Sequence, residues 1–414
     1  MPSDTQTNFR DAAESQRRAV QAAFTDLLAG AGAIGVRPTE LGRRLGLDKT
    51  LAWKISRLVE SAEPADAFRH MPGAGGIEIV LRAAEERSVR EDVVTRARVA
   101  CRELREFVER SAGDRRTFEA MLAGESPDPR GEIDERRAYF RAGSAIWGVR
   151  AKMQFLTLAL APSASRAGYL DVAQVSGLVD LERLQRDVPW IVRRLRAQSD
   201  SGASTLSVQR VPLVPERAAR KLPPLFDSYC SHPLPELRQF ERPNGWVFDE
   251  LVPGPVGKEG ATTVVLGERY IGALPMDRSA DNAFGEYALT VRTPCECVLF
   301  DLLLHRDLAH YGKARRVVYG LLEDAPMAGT PAARGEVRSR LVAPDWARDL
   351  GAPAVVQTRR MPSYASMVED ALGQAGFGGL DMFRGYRTEI EYPPFPSDMR
   401  MFLEISERSG TPES

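Results

Sequence analysis

Lys49, Thr50, Trp53, Lys54 and Arg57 fall on one side of a short helix, and their chemistry suits contact with a polyanion. Lys and Arg neutralise phosphates or donate to guanine, and Thr bonds to backbone or to a base edge. Arg43 and Arg44, a few residues earlier, are placed to clamp the flanking backbone of a duplex. Between Val36 and Glu60 the sequence holds six cations and three anions. The whole chain sets 56 Lys and Arg against 57 Asp and Glu over 414 residues, so the excess is local. Without a global positive charge, any contact with nucleic acid must come from a face of this kind.

The elements that would hold these side chains are legible around them. In "PTELGRRLGLDKTLAWKISRLVE", residues 38 to 60, Leu41 and Leu45 lie four apart and turn one helical face inward. Pro38 suits a first turn. Gly42 is small where two helices would cross, and Gly46 suits a turn with positive φ. Leu47 plugs the gap between the helices, and Asp48 can cap the second through its carboxylate. Ala52, Ile55 and Leu58 then form the buried face of that second helix.

On these residues the stretch resembles the helix-turn-helix of winged-helix bacterial regulators, the IclR type in particular. Leu41, Gly42, Gly46, Leu47, Lys49, Thr50, Ala52, Lys54 and Ile55 fit that pattern, and Leu58 continues its apolar face. The resemblance covers about the first 60 to 80 residues. It implies a DNA-binding transcription regulator in which Lys49, Thr50, Trp53, Lys54 and Arg57 face the groove. A three-helix core of this type also serves protein contacts, and fold alone does not choose between the two.

The rest of the chain reads as α+β. A winged-helix-like, helical domain is expected over residues 1–88, a helical middle over 89–200, and a β-rich α+β domain of unassigned role over 204–408. "RRAVQAAFTDLLAG" and "EDVVTRARVACRELREFVER" show helical spacing. The second either packs within its own subunit or forms a dimer seam. "IDERRAYFRAGSAIWGVRAKMQFLTLALA" and "VPWIVRRLRAQ" read as helices, with Gly143, Ser144 and Ala145 permitting close approach of another backbone. "SDSGAS", residues 199–204, reads as a linker. "TLSVQRVPLV", "NGWVFDEL", "TTVVLGERYIGAL", "EYALTVR", "CVLFDLLLH", "RRVVYGLLE" and "YRTEIEYPPFP" read as strands, and "SYASMVEDALGQAG" as a helix ended by glycine.

Other constellations carry less. "HRDLAHYG" shares letters with a kinase catalytic loop but lacks its asparagine, and no glycine-rich phosphate loop accompanies it. His305, Asp307 and His310 lack a convincing metal spacing, and Cys295 and Cys297 lack a second pair. Tyr364, Phe383 and Tyr386 read as core before pocket. No catalytic residue, cofactor or metal is assigned. The four cysteines, Cys101, Cys230, Cys295 and Cys297, read as reduced thiols. With no signal-like start and no run near the ~18 apolar residues of a membrane span, a cytoplasmic protein is expected.

The resulting expectation is a DNA-binding transcription regulator with a C-terminal sensing or assembly domain. Its expected partner is double-stranded DNA, and a small-molecule effector and a homodimer remain open. The alternatives are an enzyme with its site in the β-rich half, or an adaptor that uses the helix-turn-helix for protein contacts.

Overall fold

Val20, Ala23, Phe24, Leu27 and Leu28 recur at helical spacing, and all five are buried on α1 (Asp4–Gly30). The computed structural model describes residues 4–61, 67–68, 70–125, 129–196, 209–242, 246–277, 284–320 and 340–407. The chain divides into two compact units, residues 1–132 and 133–414.

In the first unit α1 is followed by α2 (Pro38–Leu45), α3 (Lys49–Glu60), α4 (Ala74–Glu86), α5 (Glu91–Ala112) and α6 (Arg115–Glu125). Ile77, Val80 and Leu81 of α4 and Val94, Ala97, Cys101 and Leu104 of α5 join one apolar core with α1 to α3. The apolar face of α5 is thus occupied inside the unit, much of it along α1. Within α5 the ion pairs are Arg96 with Asp92 at 3.8 Å and Arg110 with Glu106 at 3.9 Å, not the pairs Arg102–Glu106 and Arg105–Glu109 that spacing alone offers. Phe118 of α6 is ringed by Phe9, Phe68 and Phe107, with centroids 5.7, 5.2 and 5.7 Å away. The described residues of this unit contain no strand, so a wing hairpin is not among them; residues 62–66 lie outside them.

The second unit corrects the expectation of a helical middle. The helix α7 (Pro129–Trp147) ends at Gly148, whose φ of +69° stops it, and strands follow. "MQFLTLALA" is not the end of that helix but β2 (Met153–Pro162), after the short β1 (Val149–Arg150). Nearly every β2 residue is buried, because the strand lies between two others with both faces covered. A short apolar run fits such a strand as well as a buried helix, and periodicity cannot separate them. "VPWIVRRLRAQ" likewise forms β4 (Trp190–Arg196), held by its ladder to a distant partner. Gly143 does admit a close neighbour, but that neighbour is a side chain. A Cβ there would meet the Phe395 ring at 2.2 Å.

The remaining strands are β3 (Tyr169–Arg183), β5 (Gln209–Pro212), β6 (Leu237–Glu241), β7 (Trp246–Leu251), β8 (Thr262–Pro275), β9 (Phe284–Val291), β10 (Cys297–His305), β11 (Arg315–Gly320), β12 (Arg340–Trp346), β13 (Arg348–Gly351), β14 (Phe383–Glu391) and β15 (Ser397–Glu404). An eight-stranded sheet has the order β13-β14-β10-β2-β3-β8-β5, with β1 added on β3. Smaller sheets run β12-β11-β15-β9 and β4-β7-β6. Two helices complete the unit, α8 (Pro215–Arg220) and α9 (Tyr364–Ala375), the latter ended by Gly376 in the left-handed conformation. The linker expected at residues 199–204 and the tail "RSGTPES" lie outside the described residues.

Neighbouring strands place Thr157, Asp301 and Arg387 side by side on the face that α9 covers. Arg387 grips Asp301 with both prongs, Nε to Oδ1 at 2.7 Å and the second nitrogen to Oδ2 at 2.6 Å. The Tyr364 hydroxyl of α9 donates to Asp301 Oδ2 at 2.9 Å and accepts from Thr157 at 2.7 Å. Burial pushes the Asp301 carboxyl up in pKa, and Arg387 pulls the opposite way. Removing one partner of such a buried pair is expected to cost about 3–5 kcal/mol, because the other charge is stranded. Arg387→Met should therefore sharply lower the urea midpoint of the second unit, and Asp301→Leu with Arg387→Met should recover much of the loss.

Candidate nucleic-acid interface

α2 and α3 are joined by Gly46, Leu47 and Asp48. Gly46 has φ +70°, and its backbone N–H donates to Gly42 O, which closes α2. A left-handed residue there is least strained as glycine. A Cβ on Gly42 would lie 3.0 Å from Leu47 O and 3.4 Å from Ala52 Cβ, so the helices meet closely at this point. Asp48 Oδ1 accepts from Thr50 N at 2.8 Å and from Leu51 N at 3.0 Å, the cap that the sequence predicts.

The inner side of α3 buries Leu51, Ala52, Ile55 and Leu58, and Leu41, Leu45 and Leu47 are buried before it. Gly76 of α4 admits this packing, since a Cβ there would meet Leu51 Cδ1 at 3.2 Å. Two tethers were not visible in the sequence. Gln21 of α1 donates from Nε2 to Leu58 O at 2.8 Å and to Ser61 O at 2.6 Å, which holds the carboxyl end of α3. Arg87 donates to Arg44 O at 2.7 Å and so satisfies a terminal carbonyl of α2. Neither contact has a local signal, because the partners are 37 or more residues apart.

The outer side of α3 carries the expected residues. Lys49, Thr50, Trp53 and Arg57 are exposed and Lys54 is half-buried. Trp53 is 43% exposed, with its ring edge-on to His70 at 5.0 Å between centroids. Arg57 has Glu60 at 4.0 Å, at the limit of an ion pair. Arg43 and Arg44 stand differently from the other five. Both bond to Glu40, with Arg43 Nε 2.8 Å and Arg44 Nε 2.7 Å from its carboxylate, and Arg44 also donates to Gly32 O. Their hydrogen bonds, that of Arg43 foremost, hold the Glu40 carboxyl down to about 2. Exposed pairs of this kind hold weakly and exchange readily.

The other constellations stay apart. His305 Nδ1 accepts from Asp307 N at 3.3 Å and lies 3.3 Å from Asp307 Oδ2, a local turn at the end of β10. All four cysteines are free and buried. Burial pushes the thiols of Cys101 and Cys297 up to about 12 and that of Cys230 up to about 11. Among the described residues no group of three or more His, Cys, Asp and Glu is arranged to hold a metal. Nor is any helix among them long and apolar enough to cross a membrane. Tyr364, Phe383 and Tyr386 are core residues. Comparison with protein-family models, curated proteins and solved structures gives no significant match for this chain.

Two measurements probe how this face is held. Asp48→Ala should lower the stability of the first unit by about 0.5–2 kcal/mol in thermal melts, because two amides of α3 lose their acceptor. The Glu40 pKa is depressed in the fold, so its contribution is complete above about 4.5 and is lost as pH falls toward 2. Melts of Glu40→Gln stepped through that window should show a shallower acid limb than the parent chain.

Proposed function

We propose that the chain is a DNA-binding transcription regulator of bacterial type, with α3 as the element that enters the major groove. One observation carries this reading. α3 buries Leu51, Ala52, Ile55 and Leu58 and leaves Lys49, Thr50, Trp53 and Arg57 in solvent. The position of Lys49 adds weight. A cation at a helix amino terminus opposes the helix dipole, so helix stability does not explain its presence. A duplex phosphate beside it would. Because Asp48 already occupies the amides of Thr50 and Leu51, phosphate contact at this end falls to side chains.

The IclR-like reading rests on the motif from Leu41 to Leu58 alone. Five side chains form the proposed base and phosphate contacts, and Arg43 and Arg44 join them on exchanging Glu40 for the duplex backbone. A homodimer would double this modest cationic face and set the spacing of two half-sites. The second unit would serve sensing or assembly. An adaptor role would be favoured by an acidic or buried outer face on α3, and the face is neither. An enzyme built on a cysteine would need a reachable thiolate, and the cysteines are buried with raised pKa values.

The test is fluorescence anisotropy of the full chain on a random-sequence duplex across a salt series. Lys49→Ala, Lys54→Ala and Arg57→Ala combined should weaken binding and flatten the salt dependence, by about 0.9 in log–log slope for each phosphate no longer neutralised. A parent chain that ignores the duplex at low salt, or a triple variant with unchanged affinity and slope, overturns the reading.

A further inference from the structure

Inside the second unit, β2, β3 and β8 of the eight-stranded sheet meet β4 and β9 around a cavity of about 230 Å³. It lies on the sheet face opposite α9. Gln154, Leu156, Ser176 and Leu266 point from the sheet toward it, and Phe155 adds to its lining; Thr157, three residues from Gln154 and so on the other face, bonds to Tyr364 of α9. Its polar lining is unevenly matched.

Gln154 donates from Nε2 to Thr290 O at 2.9 Å, which fixes the orientation of its amide. The amide oxygen, Oε1, is buried without a hydrogen-bond partner. An acceptor left this way costs about 1–3 kcal/mol.

Three arginines also line the cavity. Arg193 is neutralised by Asp249 and by Glu268, the latter at 2.6 Å. Arg194 and Arg292 form no ion pair or hydrogen bond among the described residues; Arg194 lies over the Phe248 ring at 5.5 Å. Arg194 and Arg292 are both exposed as whole residues; partial burial of the Arg292 guanidinium and then the neighbouring Arg194 pull its pKa down. Asp398 acts on Arg292 in the other direction. Its carboxylate is already engaged by Arg400 at 2.9 Å and by the Thr290 hydroxyl at 3.0 Å.

We propose that this cavity binds a small organic anion bearing a hydroxyl or N–H donor. Its carboxylate or phosphate lies between Arg194 and Arg292, and its donor reaches Gln154 Oε1, a covered oxygen, as the side chains over it shift aside. Guanidinium forks match both kinds of oxyanion and tolerate partial desolvation. The volume is below the roughly 300–1,000 Å³ of sites for drug-sized ligands, which selects a small acid over a nucleotide. Such a ligand neutralises two like charges and satisfies the orphaned oxygen at once. The site stands whether or not α3 binds DNA.

The test is calorimetric titration of the full chain, without DNA, with L-malate, glycerol 3-phosphate, sulfate and uncharged glycerol. Malate or glycerol 3-phosphate should bind, and which one does separates a carboxylate from a phosphate ligand. Sulfate, which has no donor, should bind more weakly, and glycerol should give no heat. Arg292→Gln and Arg194→Gln should each weaken binding by about tenfold or more. Arg292→Gln should also raise the melting temperature of the ligand-free protein, because a repulsion is removed; this readout also shows that the variant folds. The proposal is overturned if neither organic anion binds, if sulfate matches them, if both variants bind as the parent does, or if Arg292→Gln leaves the ligand-free melt unchanged or lowers it.

Discussion

Between α2 and α3 the chain has three residues in which to change direction, and the exposure of everything on α3 follows from how they do it. Gly46 takes the left-handed conformation, Leu47 turns inward, and Asp48 satisfies two amides of the next helix. With that start set, a period of 3.6 residues sends Leu51, Ala52, Ile55 and Leu58 to the core and Lys49, Trp53 and Arg57 to solvent. Gly42 keeps α2 near enough for the arrangement to close, with no Cβ to hold Leu47 O away. Gln21 then pins the far end of α3 to α1. The cationic face is therefore held at both ends, and its order does not wait for a partner.

The second unit depends on a different constraint, the alternation of side chains across one broad sheet. On one face Thr157, Asp301 and Arg387 line up on adjacent strands beneath Tyr364. A buried charge pair of this kind is a weak source of stability, since desolvation offsets most of the attraction. Its geometry nevertheless discriminates between registers. A slip of one residue in β10 or β14 would carry Asp301 or Arg387 to the opposite face and leave the other unpaired. On that opposite face the smaller sheets meet the large one through polar as well as apolar residues, and the cavity beside Gln154 lies there.

How far each feature could be read in advance follows the range of the interactions behind it. The cap at Asp48, the turn at Gly46 and the two faces of α3 are decided within a few residues, and the structure has them where local spacing puts them. The strands "CVLFDLLLH" and "NGWVFDEL" and the helix ended by Gly376 were legible for the same reason. "MQFLTLALA" and "VPWIVRRLRAQ" were not. Each is a run whose conformation is chosen by strands far away in sequence, β3 and β10 for the first and β7 for the second. Glu40 shows the limit on the electrostatic side. It is one of the three anions between Val36 and Glu60, and that it binds both Arg43 and Arg44 is decided by side-chain rotamers.

The sequence by itself determined the local grammar of this protein: where α3 starts, which side of it is apolar, and that a cationic surplus sits there in a chain of balanced charge. Short-range hydrogen bonds and helical periodicity suffice for that. Tertiary structure alone decided that α5 spends its apolar face inside its own unit, that β2 runs between β3 and β10, and that Asp301 meets Arg387. It alone gathered Gln154, Arg194 and Arg292 around one cavity. These residues are 40 to 138 positions apart, and only the closing of a sheet brings such distant side chains together.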